Sequence, residues 1–261
     1  MAILERNDTG AVATLTMNAP DRLNALSDEM LAALQSEFDS LCDDSAIRAV
    51  ILRGKGKAFC AGHDLKQMTA GRQAEDGGKA YFQGLFARCT QMMLSIRSLP
   101  QPVIAQVHGI ATAAGCQLVA TCDLAVAAEG TRFGVNGVNI GLFCSTPMVA
   151  LSRNISRKRA FEMLTTGDFI SAETAAELGL INRVVPEMLL EHETVSLADQ
   201  LAAKLGSAVK IGKQAFYKQL EMPLEQAYDY TGDVMAQNML HRDTEEGISA
   251  FIEKRPPNWH Q

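Results

Sequence analysis

The sequence predicts an α/β fold followed by a helical C-terminal region. Short apolar runs that are typical of buried strands alternate with stretches of helical periodicity through most of the chain. From about Glu187 onward the pattern is helical throughout. We therefore expect a core domain over residues 1–190 and a helical C-terminal region over residues 191–261.

Length and composition are those of an ordinary globular protein. The 261 residues are 47% hydrophobic, enough for one large core. The net charge of −6 disfavours partners such as nucleic acids and anionic membranes, and no apolar run approaches the ~20 residues that span a bilayer. The N-terminus has neither a signal-peptide layout nor an Arg-rich transit segment, so the prediction is a cytoplasmic protein.

Several common functional sites are disfavoured. None of the six cysteines forms a Cys-x-x-Cys pair, which predicts reduced packing thiols and no metal site. The chain contains no P-loop, no Gly-x-Gly-x-x-Gly and no Gly-x-Ser-x-Gly. Nucleotide-binding and serine-hydrolase functions therefore have little support.

The first half of the chain opens with strands predicted around 3–6 and 11–17. Ser27 is expected to cap a helix, since Asp28 and Glu29 follow it and an apolar helical stripe begins at Leu31. Apolar residues at helical spacing predict a long second helix that ends before Pro100.

The second half continues with a buried strand over 123–128. Ser171 is expected to cap a short helix that ends at Gly179. A last strand is predicted over 181–185, and Thr244 is expected to open the final helix.

Two turns rich in small residues, 57–66 and 108–117, each follow a strand-like run and lead towards a helix. Such turns present backbone N–H groups, and two groups aimed at one point would form an oxyanion hole for a thioester carbonyl. The helix after Gly115 would add its positive dipole end. The alternative is that small residues merely allow close packing at strand ends.

The segments that carry a family resemblance span essentially the whole chain in order. They include Asn18-Ala19-Pro20, Ala58-Phe59-Cys60-Ala61-Gly62-His63-Asp64-Leu65, Gln106-Val107-His108-Gly109, Gly115-Cys116-Gln117-Leu118 and Glu246-Gly247-Ile248. With these segments the chain resembles the crotonase (enoyl-CoA hydratase/isomerase) superfamily. The resemblance implies a spiral of stacked ββα units over residues 1–190 that binds acyl-CoA. It also implies a homotrimer or dimer of trimers, with the helical region 191–261 serving oligomerisation. Coenzyme A would enter as part of the substrate thioester, with no separate cofactor.

The resemblance also assigns roles to residues. It places the oxyanion donors on the backbone N–H groups of His63 and Ala114. In hydratases of this family two glutamates move the protons, and the matching positions here are Gln117 and Gly137. Glutamine cannot exchange a proton at neutral pH and glycine has no side chain, so an efficient hydratase is not expected.

For the coenzyme A end, the resemblance points to a larger set of residues. These are Arg22, Ala61, Asp64, Leu65, Lys66, Phe251 and Lys254. Lys254 would reach the ligand from a neighbouring subunit. The alternative for Asp64 is a turn cap, and for each basic residue a solvated surface position.

Three further positions have both a structural and a functional interpretation. His108 at a strand end is expected to be structural rather than a proton shuttle. Ser145 or Thr146 is expected to cap a helix that begins at Pro147, although both could face an acyl group. Two functions stay open at this point: an acyl-CoA enzyme that stabilises a thioester enolate, or a non-catalytic acyl-CoA-binding or regulatory protein.

Overall fold

The computed structural model describes residues 2–260. Within these residues the chain forms one six-stranded and one three-stranded sheet, flanked by helices. The strands are β1 Leu4–Thr9, β2 Val12–Met17, β3 Ala49–Gly54, β4 Val103–Val107, β5 Ile110–Thr112, β6 Leu124–Ala128, β7 Arg132–Gly134, β8 Ile170–Ser171 and β9 Arg183–Val185. The α/β prediction is confirmed.

The large sheet has the order β1-β2-β3-β4-β6-β9. Only β1 runs antiparallel to its neighbour; the other strands are parallel, with Arg53 of β3 opposite Gln106 of β4. The carboxyl ends of β3 and β4 therefore meet at one edge. Since ligand sites in parallel sheets lie beyond that edge, this arrangement positions the candidate site.

The small sheet, of order β5-β7-β8, was not predicted from the sequence. Its strands are only two or three residues long, too short to produce a hydrophobic period. It begins at Ile110, directly inside the second small-residue turn. That turn is therefore a strand-containing segment and not a simple loop.

Helices cover both faces of the large sheet. They are α1 Asp28–Cys42, α2 Leu65–Gly71, α3 Lys79–Ser98, α4 Ala114–Thr121, α5 Pro147–Asn154, α6 Arg157–Thr166, α7 Ala172–Glu177, α8 Leu190–Ala202, α9 Gly206–Gln219, α10 Leu224–Met239 and α11 Arg242–Ile252. The larger core joins one sheet face to α1, α3 and α4. The opposite face packs against Leu190, Leu197 and Ala198 of α8. Burial on both faces explains why the central strands are continuous apolar runs.

Most predicted boundaries agree with the structure. The hydroxyls of Ser27 and Ser171 accept hydrogen bonds from the N–H groups of Met30 and Thr174, so both predicted caps are confirmed. The last strand begins at Arg183, two residues later than predicted. The final helix begins at Arg242, because the N–H of Thr244 already donates to the carbonyl of His241 and closes the first turn.

No helix in the described residues is both long and apolar enough to cross a bilayer. The 190/191 boundary falls at the start of α8. The division into a core domain and a C-terminal region stays a prediction.

Candidate active site

The two small-residue turns lie side by side at the carboxyl edge of the large sheet. The N–H groups of Phe59 and Cys60 donate to carbonyls of His108 and Ile110, at 3.1 and 3.2 Å. The N–H of Thr112 donates back to the carbonyl of Cys60, at 3.0 Å. These hydrogen bonds fix the first turn against the second over several residues.

Glycines allow the closest approach between the turns. A Cβ atom at Gly115 would lie 2.2 Å from the carbonyl oxygen of Cys60, so only glycine fits there. On the first turn, Gly62 has φ +89°, and a Cβ at that position would lie 3.3 Å from the backbone nitrogen of Ala114. The segment before His63 therefore touches the start of α4.

The backbone at this contact has an unusual conformation. Ala113, which precedes α4, has φ 50° and ψ −120°, a combination that L-residues rarely adopt. Its N–H donates to the carbonyl of Gly134 at 2.9 Å, which holds the second turn to β7. Strained residues of this kind cost about 1–3 kcal/mol and cluster at functional sites.

The N–H groups of His63 and Ala114 have no acceptor among the described residues. Ala114 is the first residue of α4, where an N–H has no partner within the helix. Both N–H groups can therefore donate a hydrogen bond to a ligand, and they lie on neighbouring segments of the backbone.

The side chain of His63 is half-buried. Its Nδ1 lies 3.4 Å from the carbonyl oxygen of Leu26, and its ring packs edge-on against Phe86. Burial lowers the pKa of His63, which favours the neutral imidazole. Its Nε2 is buried and has no hydrogen-bond partner in the described structure.

The helix α2 begins directly after His63. Asp64 caps it, accepting hydrogen bonds from the N–H groups of Lys66 and Gln67, as the capping alternative predicted. Arg22 approaches Asp64 to 3.8 Å. Leu65 and Lys66 are exposed on the first turn of α2, and Ala61 donates its N–H to the carbonyl of Leu23.

The structure therefore brings five of the seven predicted coenzyme A residues together beside the first turn. The other two lie elsewhere: Phe251 on α11 is 86% exposed, and Lys254 is exposed just beyond that helix. Within one chain neither side chain packs against the turns.

Gln117 lies one turn further along α4 than Ala114 and is only 6% exposed. Its Oε1 is buried without a hydrogen-bond partner among the described residues. Buried polar atoms are nearly always satisfied, so an unpaired amide oxygen marks a place where a ligand or water can bind.

Gly137 lies in a 3-10 turn, Asn136–Ile140, that is attached to the second small-residue turn. The hydroxyl of Thr112 donates to Oδ1 of Asn136 at 2.6 Å. A Cβ at Gly137 would lie 2.2 Å from the carbonyl oxygen of Leu142 and 2.8 Å from Sγ of Cys144. The segment 142–144 therefore fills the space that a side chain at 137 would need.

The other predicted positions are structural in part. His108 Nε2 lies 2.7 Å from the carbonyl oxygen of Gly56, which ties the second turn to the residue that precedes the first turn. Pro147 is the first residue of α5 as predicted, but neither Ser145 nor Thr146 caps the helix with its side chain. Thr146 has helical dihedral angles, and Ser145 donates instead to the carbonyl of Phe143. That part of the prediction is wrong.

Sequence reasoning missed a cleft of about 610 Å³ between α3, α4, α5 and α9. Gln117 and Thr146 line it, together with Asp123 and Tyr217. The carboxylate of Asp123 accepts hydrogen bonds from Tyr217 and from Lys213, which is 90 residues away in sequence. No local pattern joins residues at that separation.

The buried cysteines lack the features of reactive thiols. Burial raises the pKa of Cys60, Cys89 and Cys116 to about 12. Reactive cysteines have a lowered pKa and are accessible. These three side chains therefore act as small apolar packing groups.

Comparison with known proteins shows the family. A model of the enoyl-CoA hydratase/isomerase family matches residues 7–261. The human protein named enoyl-CoA hydratase domain-containing protein 3, mitochondrial, is 45% identical over 95% of this chain and 80% of its own length. A putative enoyl-CoA hydratase of Thermus thermophilus is 34% identical over 97% of this chain and 98% of its own length. The mitochondrial name of the human relative gives the predicted cytoplasmic location no support.

Solved structures agree with this likeness over nearly the whole fold. An enoyl-CoA hydratase of Mycobacterium smegmatis superposes with a TM-score of 0.95 at 55% identity, covering 99% of each chain. Human enoyl-coenzyme A hydratase domain-containing protein 3 superposes with a TM-score of 0.94 at 43% identity, covering 98% of this chain and all of the other. The chain therefore belongs to the crotonase-fold enoyl-CoA hydratase/isomerase family.

Proposed function

We propose that this protein is an enzyme acting on acyl-CoA thioesters, in which the backbone N–H groups of His63 and Ala114 stabilise an enolate oxygen. The observation that carries the proposal is the contact between the two turns, where two N–H groups without acceptors lie on neighbouring backbone. Preorganised donors of this kind need no rearrangement when charge develops.

The chemistry follows from where the charge forms. Removal of a proton from Cα of a thioester produces an enolate, whose negative charge resides on the former carbonyl oxygen. Each donor in such a site is typically worth about 10²–10³ in rate. The N-terminal end of α4, which begins at Ala114, adds a favourable dipole at the same point.

The proton carrier is the part of the site that differs from the family's hydratases. Gln117 can hold a water molecule through its unpaired Oε1, but it cannot itself take up a proton. Gly137 contributes no group, and the segment 142–144 closes the space beside it. We therefore propose proton transfer through water or through a group not yet identified, with slow hydration of enoyl-CoA.

Coenzyme A would lie across the start of α2. Lys66 is exposed there without an ion pair among the described residues, and Arg22 is nearby, so both can meet phosphate groups. Ala61, Asp64 and Leu65 form the adjacent surface. Phe251 and Lys254 would join the site only from a neighbouring chain, which fits a homotrimer or a dimer of trimers.

A second candidate is a non-catalytic acyl-CoA-binding or regulatory protein. The observation that favours it is the pair of residues Gln117 and Gly137, neither of which exchanges protons. Both candidates share the ligand and differ only in turnover.

Binding is tested by calorimetry with a matched pair of ligands. Butyryl-CoA carries the thioester oxygen, whereas S-butyl-CoA has a methylene group in its place and is otherwise alike. If the two N–H groups hold the oxygen, butyryl-CoA binds about 5- to 150-fold more tightly, the value of two hydrogen bonds. Equal affinities for butyryl-CoA and S-butyl-CoA would contradict the oxyanion proposal. If neither ligand binds, the proposed acyl-CoA function is wrong.

Turnover is tested separately. In heavy water, an enolate-forming enzyme incorporates deuterium at Cα of butyryl-CoA, which NMR detects. A protein that binds butyryl-CoA without any such exchange is the non-catalytic alternative. Loss of the conjugated-thioester absorbance of crotonyl-CoA measures hydration, and a rate typical of the family would contradict the proposed loss of the proton carriers.

A further inference from the structure

The cleft between α3, α4, α5 and α9 is linked to the proposed thioester site by the helix α4. Gln117 lies on the same short helix as Ala114 and forms part of the cleft wall. A volume of about 610 Å³ lies in the range of small-molecule sites. The further inference rests on the proposed function, because it concerns where the acyl group of the thioester goes.

Asp123 and Tyr217, which line the cleft, belong to a hydrogen-bonded polar cluster. Asp123 Oδ2 accepts hydrogen bonds from Lys213 Nζ and from the N–H of Val103, both at 2.7 Å, and Oδ1 accepts from the hydroxyl of Tyr217 at 2.8 Å. Lys213 also donates to two backbone carbonyls, of Ile96 and Gln101. The negative charge of Asp123 is therefore neutralised inside the protein.

Two arginines line the same cleft, and they differ. Arg153 is exposed and lies 3.7 Å from the carboxylate of Glu221. Arg97 is half-buried; its guanidinium stacks over the ring of Tyr217, 4.5 Å from the ring centre. Within residues 2–260 no carboxylate forms an ion pair with Arg97. The cleft thus contains one guanidinium whose charge is not compensated.

We propose that the cleft receives the acyl group and that Arg97 binds a carboxylate at its far end. The preferred substrates would then be thioesters of dicarboxylic acids, in which one carboxyl group carries coenzyme A and the other is ionised. A guanidinium has five N–H donors in a planar arrangement, which suits a bidentate contact with a carboxylate.

A plain alkyl group is a poorer occupant. An alkyl tail would remove water from around Arg97 and supply no hydrogen-bond acceptor, which carries a desolvation cost. A terminal carboxylate supplies both the acceptors and the opposite charge. The hydroxyl of Tyr217 already donates its hydrogen bond to Asp123. Arg97 is therefore the group that distinguishes a carboxylate end from an alkyl end.

The test is calorimetry with adipyl-CoA and hexanoyl-CoA, which have equal carbon numbers. The wild-type protein should prefer adipyl-CoA at least about tenfold, the value of one charge-assisted contact. Arg97→Gln should abolish the preference, chiefly by weakening the binding of adipyl-CoA. Arg153→Gln is the matched control, because Arg153 lines the same cleft but is paired with Glu221, and it should keep the preference.

Each outcome decides between the proposals. Equal binding of the two ligands by the wild type overturns the role of the cleft but leaves the proposed function standing. A preference that survives Arg97→Gln, or that Arg153→Gln removes equally, overturns the assignment to Arg97. Binding of neither ligand overturns the acyl-CoA function as well. If Arg97→Gln does not fold, Arg97→Lys replaces it and should keep the charge but lose most of the preference.

Discussion

Gly115 and Gly137 show the same steric restriction for opposite reasons. At each position a Cβ would lie 2.2 Å from a carbonyl oxygen, that of Cys60 in one case and that of Leu142 in the other. At Gly115 the missing side chain lets one backbone turn approach another and leaves N–H groups available. At Gly137 it lets the segment 142–144 occupy the place of a side chain. Gly115 therefore permits the contact between the two turns, whereas Gly137 permits the segment 142–144 to pack against it.

This comparison separates the site into two halves. The half that we propose stabilises charge is made of backbone, held by hydrogen bonds between the turns at Cys60 and Thr112. The half that would move protons depends on side chains, and here it carries Gln117 and Gly137. Backbone N–H groups persist when side chains change, whereas an acidic or basic side chain is lost by a single substitution.

The largest effect should come from Gly137→Glu. A side chain there meets the backbone carbonyl of Leu142 and Sγ of Cys144, so the segment must move and a carboxylate must enter a packed region. We expect a loss of about 3 kcal/mol or more in the free energy of unfolding, measured with urea.

The matched control is Gly232→Glu. Gly232 lies within α10, and a Cβ there would have no neighbour within 4 Å. Replacing a glycine in a helix interior by glutamate should leave stability unchanged or raise it by up to about 1 kcal/mol. Equal stability of the two variants would show that the segment 142–144 yields readily, and the site would then be open to a carboxylate at position 137.

A smaller effect is expected for Gly115→Ala. The added methyl group would press on the carbonyl of Cys60 and separate the two turns. Overpacking of this size typically costs about 1–3 kcal/mol of unfolding free energy. Binding of butyryl-CoA should weaken towards that of S-butyl-CoA, because the two donors no longer converge. Gly232→Ala serves as control, and unchanged discrimination between the two ligands in Gly115→Ala would separate the turn contact from oxygen binding.

The smallest effect concerns pH and the side chain of His63. Because burial lowers its pKa in the folded protein, the unfolded chain binds more protons once the pH falls below about 6.5. Stability therefore decreases as the pH falls through that window, with a slope of at most about 1.4 kcal/mol per pH unit. In His63→Gln this contribution should disappear from urea unfolding curves between pH 7 and 5.

His192 provides the control for that measurement. Its side chain is 76% exposed on α8, so His192→Gln should leave the pH dependence of the wild type intact. Parallel pH profiles for wild type and His63→Gln would mean that the imidazole of His63 meets water or a partner in solution.

Much of the fold could be predicted because its signals are local. Ser27 and Ser171 precede acidic first turns, and this pattern predicted both helix caps. The small sheet could not be predicted, since strands of two or three residues carry no period.

The candidate site could be predicted only in part from the sequence. The two turns could be located from their small residues and by resemblance. The packing of Leu142 on Gly137, and the ion pair of Asp123 with Lys213, depend on contacts between distant segments. Such contacts leave no pattern in the sequence around either residue, so only the three-dimensional structure reveals them.

The buried ion pair of Asp123 and Lys213 also bears on how the protein is synthesised. The carboxylate is made 90 residues before the ammonium group that neutralises it. At translation rates of about 5–20 residues per second, the nascent chain spends roughly 5–20 s with Asp123 already made and Lys213 still missing. An uncompensated charge costs several kcal/mol to bury, so this side of the sheet remains hydrated on the ribosome until α9 has been translated.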